Sequence, residues 1–297
     1  MDHLFDRPCD TEAAEELTHS ILGRYPHVEM TTVGRSLCGR PLSCFTVGRG
    51  KKTVLYLGAH HGSEWITGLL LYRFLSELGQ GSAPVGADAG RLLECVRFWI
   101  LPVVNPDGVE LAIHGPTKGG VLEARQRRIN GESEDFSTWQ ANARGVDLNH
   151  NYGAGFSEYK CYEREHGISG PAPTLYSGMY PESEPESSAV ASLVRALRPS
   201  LILTLHTQGE EIFYGGEDAP AESFELALKV SALTGYAPRT PTGSAAFGGL
   251  TDWAVRCGIP ALTLECGKGK NPLPLSCQRE VYRRLRPALF RAPDFVS

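Results

Sequence analysis

The chain has 297 residues, 41% of them hydrophobic and 21% charged, with a formal net charge of −5. That is the profile of a folded globular protein with room for a sizeable core, and it excludes an intrinsically disordered chain. The small negative charge is spread along the sequence, which leaves no basic face for nucleic acid or an anionic membrane and points to a small soluble ligand. The opening stretch MDHLFDRP carries acids and no apolar h-region, and no run approaches the roughly 18 apolar residues of a membrane span. The expected location is therefore the cytoplasm. The eight cysteines include no C-x-x-C pair, so reduced structural thiols are expected.

In chain order, apolar runs predict strands over residues 42–47 and 54–57, and a helical period predicts a helix over 64–78. A strand follows over 96–103. The signal Ser183-Glu184-Pro185-Glu186 predicts a capped helix start, and the helix itself is expected over 186–197. A strand over 201–205, helices over 221–233 and 250–256, and a strand over 261–264 complete the series. Polar loops are expected over 80–90, 114–144 and 151–185, and loops longer than about 15 residues in a compact domain are usually functional. This alternation predicts an α/β fold with a mixed or mainly parallel central sheet flanked by helices. Without a repeat or low-complexity linker, residues 1–297 read as a single domain.

In open α/β sheets ligands bind at the carboxyl ends of strands, so the reactive side chains there are the candidates. GAHHGSEWIT, residues 58–67, sets His60, His61 and Glu64 after the 54–57 strand. Asp147, Asn149 and His150 follow the loop after Arg144, His206 follows the 201–205 strand, and Glu265 follows the 261–264 strand. A catalytic zinc takes three protein ligands and leaves a position for water, and a further glutamate can act as general base. Two histidines and a glutamate supply that ligand set, with His60 and His61 both open at this point. Singly, each signal is weak, because H-x-x-E is common by chance and a lone histidine is usually just hydrogen-bonded. Their joint occurrence at successive strand ends is what points to a metal.

GAHHGSEWIT resembles the G-x-H-x-x-E-W-I signature of the zinc carboxypeptidase family typified by pancreatic carboxypeptidase A. PVVNPDGVE (102–110), GVDLNHNY (145–152), SEPE (183–186), TLHTQGEEI (204–212), TDWA (251–254) and TLECG (263–267) resemble its further blocks in the same order, over about residues 30–290. The resemblance implies a single-domain carboxypeptidase A-like fold and one zinc per chain, held by His61, Glu64 and His206, with His60 a packing neighbour. It implies that Glu265 takes a proton from the attacking water and hands it to the leaving amine. The tetrahedral oxyanion needs a further cation. In the family an arginine follows a tryptophan shortly before the G-V-D-x-N block, but here Trp139 is followed by Gln140. Arg144 is therefore the first candidate, with Arg128 behind it.

Two further departures concern substrate. In ordinary carboxypeptidases an Asn-Arg pair in this block grips the terminal carboxylate, the arginine bidentately; here the pair is Asn149-His150. The family's mobile tyrosine, counted back from the Asp-Trp pair, falls on Ser244, and the nearest aromatic is Phe247. Both put plain C-terminal trimming in doubt. HTQGEEI, WQANARGVDLN and ECGKGKNPLP resemble the bacterial γ-D-glutamyl-L-diamino acid peptidases, which cut between D-glutamate and meso-diaminopimelate. That resemblance implies a substrate-binding set of Asn149, His150, Ser244 and Phe247, with Glu210 or Glu211 meeting the free amine. With no separate pro-domain or wall-binding domain expected, the partner is a small muropeptide-like peptide in the cytoplasm. The alternatives are an ordinary metallocarboxypeptidase or a zinc amidohydrolase of the desuccinylase/aspartoacylase type, against which the full Asn-Pro-Asp-Gly and Gly-Val-Asp-Leu-Asn blocks speak. A non-catalytic peptide-binding module is disfavoured by retention of all three ligands and Glu265.

Overall fold

The computed structural model describes residues 2–84, 88–216 and 218–296 and contains one mixed eight-stranded sheet. The strands are β1 (Glu29–Arg35), β2 (Pro41–Val47), β3 (Lys52–Leu57), β4 (Val96–Leu101), β5 (Leu201–His206), β6 (Glu211–Phe213), β7 (Ala237–Arg239) and β8 (Ala261–Glu265). Their order across the sheet is β1-β2-β4-β3-β5-β8-β6-β7. The middle strands β4, β3, β5 and β8 run parallel, and the sheet turns antiparallel at β2 and β6.

Alternating side chains of the central strands enter opposite cores, which is why those strands read as continuous apolar runs. Val54 and Tyr56 of β3 pack with helices Thr11–Arg24, Ile66–Gln80, Ala221–Thr234 and Gln278–Arg291, whereas Leu55 and Leu57 pack with helices Pro185–Leu197 and Leu250–Arg256. Buried on both faces, β3, β5 and β8 are held rigidly, and their carboxyl ends lie side by side. No helix among the described residues is long and apolar enough to cross a membrane, and all eight cysteines are free thiols.

Several elements escaped the apolar pattern for identifiable reasons. The edge strand β1 is mostly exposed and polar, and β6 and β7 have three residues each. Helices Glu123–Ile129 and Phe156–Glu165 lie inside expected loops; they are charged and bury only Gln126 in the first and Tyr159 and Glu163 in the second. Helix Gln278–Arg291 is arginine-rich and carries Pro287, yet Val281, Leu285, Ala288 and Leu289 bury one face at helical spacing. The expected 96–103 strand ends at Leu101, because Pro102 follows and Asn105 caps the next helix, Pro106–His114. No capping box forms at Ser183–Glu186. Helix Pro185–Leu197 has no side-chain cap; Glu184 and Glu186 turn inward and accept hydrogen bonds from Asn142 Nδ2 at 2.8 and 3.3 Å. The expected 80–90 loop falls partly outside the described residues, at 85–87, and its far end starts helix Ala89–Cys95.

Candidate metal centre and cleft

After β3 the chain makes a short 3₁₀ turn, Gly62–Glu64, before helix Ile66–Gln80 begins. In a 3₁₀ turn residues three apart eclipse, and His61 and Glu64 meet accordingly, with His61 Nδ1 2.9 Å from Glu64 Oε1. The turn is pressed against helix Pro106–His114. A Cβ on Gly62 would stand 2.2 Å from the Gly108 carbonyl oxygen, so only glycine allows this approach. Gly62 N–H and Ser63 N–H donate to the carbonyls of Gln140 and Trp139 at 3.0 and 2.8 Å, tying the turn to the 114–144 segment.

From the end of β5, His206 Nδ1 reaches Glu64 Oε2 at 3.0 Å. Potential donor atoms of His61, Glu64 and His206 all lie within 4.8 Å of one another. Thr207 N–H donates to Glu64 Oε2 at 3.1 Å and Asn271 Nδ2 to Oε1 at 3.3 Å, fixing the carboxylate. His61 Nε2 donates to Asp147 Oδ1 at 3.1 Å, while Asp147 Oδ2 accepts from Leu175 N–H at 3.0 Å. A carboxylate behind an imidazole is the usual support for a metal-binding histidine, since it fixes tautomer and ring orientation.

The donor chemistry fits a cation. With one ring proton given to Asp147, the Nδ1 lone pair of His61 faces a carboxylate oxygen, and His206 Nε2 is buried without a partner. Such a face-off needs either a second proton on the ring or a metal ion between the groups. Burial by itself pushes the His61 pKa down, but the Glu64 and Asp147 charges raise it well above the ordinary value. Burial pushes Glu64 up, yet the two imidazoles hold it down at about 2. Two imidazoles and a carboxylate, with room beside them for water, form a zinc donor set.

His60 points away from this group. Its Nε2 sits 3.1 Å from the Tyr152 hydroxyl, its ring stacks on His206 at 5.5 Å, and burial holds it neutral.

At the end of β8, Glu265 pairs in register with His206. Burial and then the Glu64 charge raise its pKa well above the carboxylate range; a cation on the three donors would draw it back down. Glu265 opens on a cleft of about 200 Å³ whose walls include His61, Gln140, Asn149, Ser244 and Asp252. No arginine or lysine lines it among the described residues.

The other sequence candidates divide. Asn149, His150 and Ser244 line the cleft. His150 is fixed, its Nδ1 3.0 Å from the Phe247 carbonyl oxygen and its ring 4.0 Å from Tyr159; burial lowers its pKa, leaving a neutral imidazole. Phe247 itself turns to a neighbouring cavity and packs over Gly155. Glu210 is engaged by Arg284 and by Lys268 at 3.1 Å, outside the cleft, and Glu211 faces Arg239 at 3.4 Å. Arg144 is 41% exposed and 3.5 Å from buried Glu184, and Arg128 is exposed; neither lines the cleft.

Sequence reasoning passed over Gln140, Thr251, Asp252 and Thr263, all of which line the cleft. Thr251 and Thr263 share a hydroxyl hydrogen bond of 2.7 Å. Asp252 is buried, accepts from Gly216 N–H and forms no ion pair among the described residues; burial pushes its pKa up to about 7 against a weaker pull from Arg256. An acid at the start of a buried helix was the available signal.

Residues 14–282 match the family model described as zinc carboxypeptidase. The chain belongs to the zinc carboxypeptidase family. It is 33% identical over 265 residues to the "Gamma-D-glutamyl-L-diamino acid endopeptidase 1" of Lysinibacillus sphaericus, a match covering 87% of this chain and 65% of that protein. It thus spans just under two thirds of that relative's length. A Bacillus subtilis (strain 168) protein, "Uncharacterized protein YqgT", is 31% identical over 294 residues, covering 96% of this chain and 77% of that one. Among solved structures, thrombin activatable fibrinolysis inhibitor superposes with a TM-score of 0.75 at 22% identity, over 98% of this chain and 75% of that one. The fold is that of carboxypeptidase A-like enzymes, and the family's zinc suits the His-Glu-His group found here.

Proposed function

We propose that this chain is a zinc peptidase that hydrolyses the γ-D-glutamyl bond to meso-diaminopimelate in soluble cell-wall-derived peptides. His61, Glu64 and His206 hold one zinc. Zinc bound there supplies Lewis acidity, polarising the scissile carbonyl and acidifying water. The Glu265 carboxylate takes the proton of the attacking water as the C–O bond forms, then gives it to the amine nitrogen as the C–N bond breaks. Asp147 keeps His61 oriented throughout. Asn149, His150 and Ser244 bind the substrate along the wall; Phe247 acts behind them by fixing His150 through its carbonyl.

The substrate assignment is carried by Asp252. A buried carboxylate without an ion pair is costly unless a cation joins it, and an ammonium group on the substrate supplies one. A Cβ on Gly249 would stand 3.6 Å from Asp252 Oδ2 and 3.9 Å from Asn149 Oδ1, so both polar groups flank the same spot. Among the described residues the wall has no arginine to grip a plain terminal carboxylate, and a diamino acid offers an amine for Asp252. Glu210, already engaged by Arg284 and Lys268, leaves the amine to Asp252. The relative that cuts γ-D-glutamyl-L-diamino acid bonds supports the same reading.

Incubating zinc-loaded protein with L-Ala-γ-D-Glu-meso-diaminopimelate and weighing the products by mass spectrometry tests the proposal. Release of free diaminopimelate is expected; an intact tripeptide beside a cleaved N-acyl amino acid would move the reading to an amidohydrolase. Cell fractionation tests the cytoplasmic expectation.

A further inference from the structure

A peptide carbonyl under attack builds negative charge on its oxygen, and preorganised donors for that charge are usually the largest single catalytic contribution. This cleft supplies no lysine or arginine among the described residues, and its histidines are engaged: His61 between Glu64 and Asp147, His150 with the Phe247 carbonyl. Among the other side-chain donors, the Thr207 hydroxyl donates to Asn271, Thr251 and Thr263 share a hydrogen bond and Ser244 stands at the far end, which leaves the carboxamides of Gln140 and Asn149. Asn149 belongs to the far end, where its Oδ1 accepts from Leu250 N–H at 3.3 Å beside Asp252. Gln140 belongs to the metal end.

Three backbone contacts lock Gln140 in place. Its carbonyl accepts from Gly62 N–H at 3.0 Å, next to His61, and from Asn105 Nδ2 at 3.2 Å, and its N–H donates to the Pro173 carbonyl at 2.9 Å. Its side-chain oxygen accepts from the Thr174 hydroxyl. Thr174 also stands 3.4 Å from Asp147 Oδ2, beyond the usual range of an O–H···O hydrogen bond, which leaves its one proton to Gln140. The carboxamide oxygen is therefore occupied, and its NH₂ is left as the donor group on the cleft wall. The next residue, Leu175, donates its N–H to Asp147, the carboxylate that holds His61, so the 174–175 segment braces both the metal-binding ring and this amide.

We propose that Gln140, as a neutral carboxamide, donates the oxyanion hydrogen bond in this protein, with Thr174 as its positioning residue. The proton stays on nitrogen, and the amide only stabilises charge as it develops. A neutral carboxamide needs no counter-ion, and no arginine or lysine lines this part of the cleft among the described residues.

The test is Gln140→Met, which keeps side-chain length and removes the donor, measured on L-Ala-γ-D-Glu-meso-diaminopimelate and on hippuryl-L-phenylalanine in parallel. On whichever substrate the unmodified protein cuts, kcat should fall about 10²- to 10³-fold with KM little changed, zinc content and thermal midpoint retained. The affinity for a phosphinic pseudopeptide carrying a tetrahedral oxyanion, read by calorimetry independently of turnover, should fall by the same factor. Thr174→Val should lower kcat about tenfold and Thr174→Ser should restore it. Gln140→Met with kcat and phosphinic affinity within threefold of the unmodified protein would overturn the proposal, as would an equal loss in Arg144→Ala. A tripeptide left uncut while hippuryl-L-phenylalanine is cut would count against the substrate reading alone.

Discussion

The two ends of the cleft are built differently. At the metal end, His206 and Glu265 sit at the ends of the buried neighbouring strands β5 and β8, and His61 and Glu64 on the turn that follows β3, with the Glu64 carboxylate bonded on both oxygens. At the far end Ser244, Ala245 and Gly249 come from the connection into helix Leu250–Arg256, and Asp252 lacks an ion pair among the described residues. On the proposed function, chemistry belongs to the rigid strand ends and the turn beside them, and selectivity to the polar wall. Changes at the first end should abolish turnover, and changes at the second should redistribute it among substrates.

The largest effect is expected from His206→Ala. Removing one of three donors should leave the protein essentially zinc-free and inactive, by elemental analysis and assay; full zinc in that variant would break the contrast. His60→Ala, on the adjacent ring, should keep the metal. Next, Glu265→Gln should retain zinc and fold while kcat falls at least about 10²- to 10⁴-fold, since an amide cannot take the water's proton. Asp147→Asn should weaken zinc about 10- to 100-fold in competition with a chelator, through loss of the support behind His61.

The far end should respond more mildly and through KM. The Asp252 pKa is raised to about 7 in the folded protein, and only the ionised form attracts an ammonium group. KM for the diaminopimelate peptide, relative to an analogue lacking that amine, should therefore rise roughly tenfold from pH 8 to pH 6. In Asp252→Asn the relative KM should be high and flat with pH. A pH trend that survives the substitution would assign the titration elsewhere.

Much of the metal end was legible because its residues carry their spacing with them. A histidine and glutamate three apart after an apolar strand, a histidine after the next and a glutamate after the last are local patterns, and the buried strands beneath them are the most strongly apolar segments of the chain. The wall was less legible. Phe247 was reached by counting along the chain and Glu210 through the HTQGEEI resemblance, yet a turn of backbone directs Phe247 over Gly155, and Arg284 from a distant helix engages Glu210. Gln140 was visible only as a missing arginine; its partners Gly62, Asn105 and Thr174 lie between 34 and 78 positions away and converge only in the fold. Elements such as helix Phe156–Glu165 were hidden because they bury two residues per ten and otherwise face solvent.

The proposed pairing of a His-Glu-His metal centre with a wall that selects a diamino acid comes down to one ratio. It is kcat/KM for L-Ala-γ-D-Glu-meso-diaminopimelate over that for hippuryl-L-phenylalanine, measured in the unmodified protein and in Asp252→Asn. A preference for the tripeptide of one to two orders of magnitude is expected, about what a charge-assisted contact contributes, and it should largely collapse in the variant while zinc content stays constant. Hippuryl-L-phenylalanine cut as well as or better than the tripeptide would contradict it and leave an ordinary carboxypeptidase with a substituted anchor.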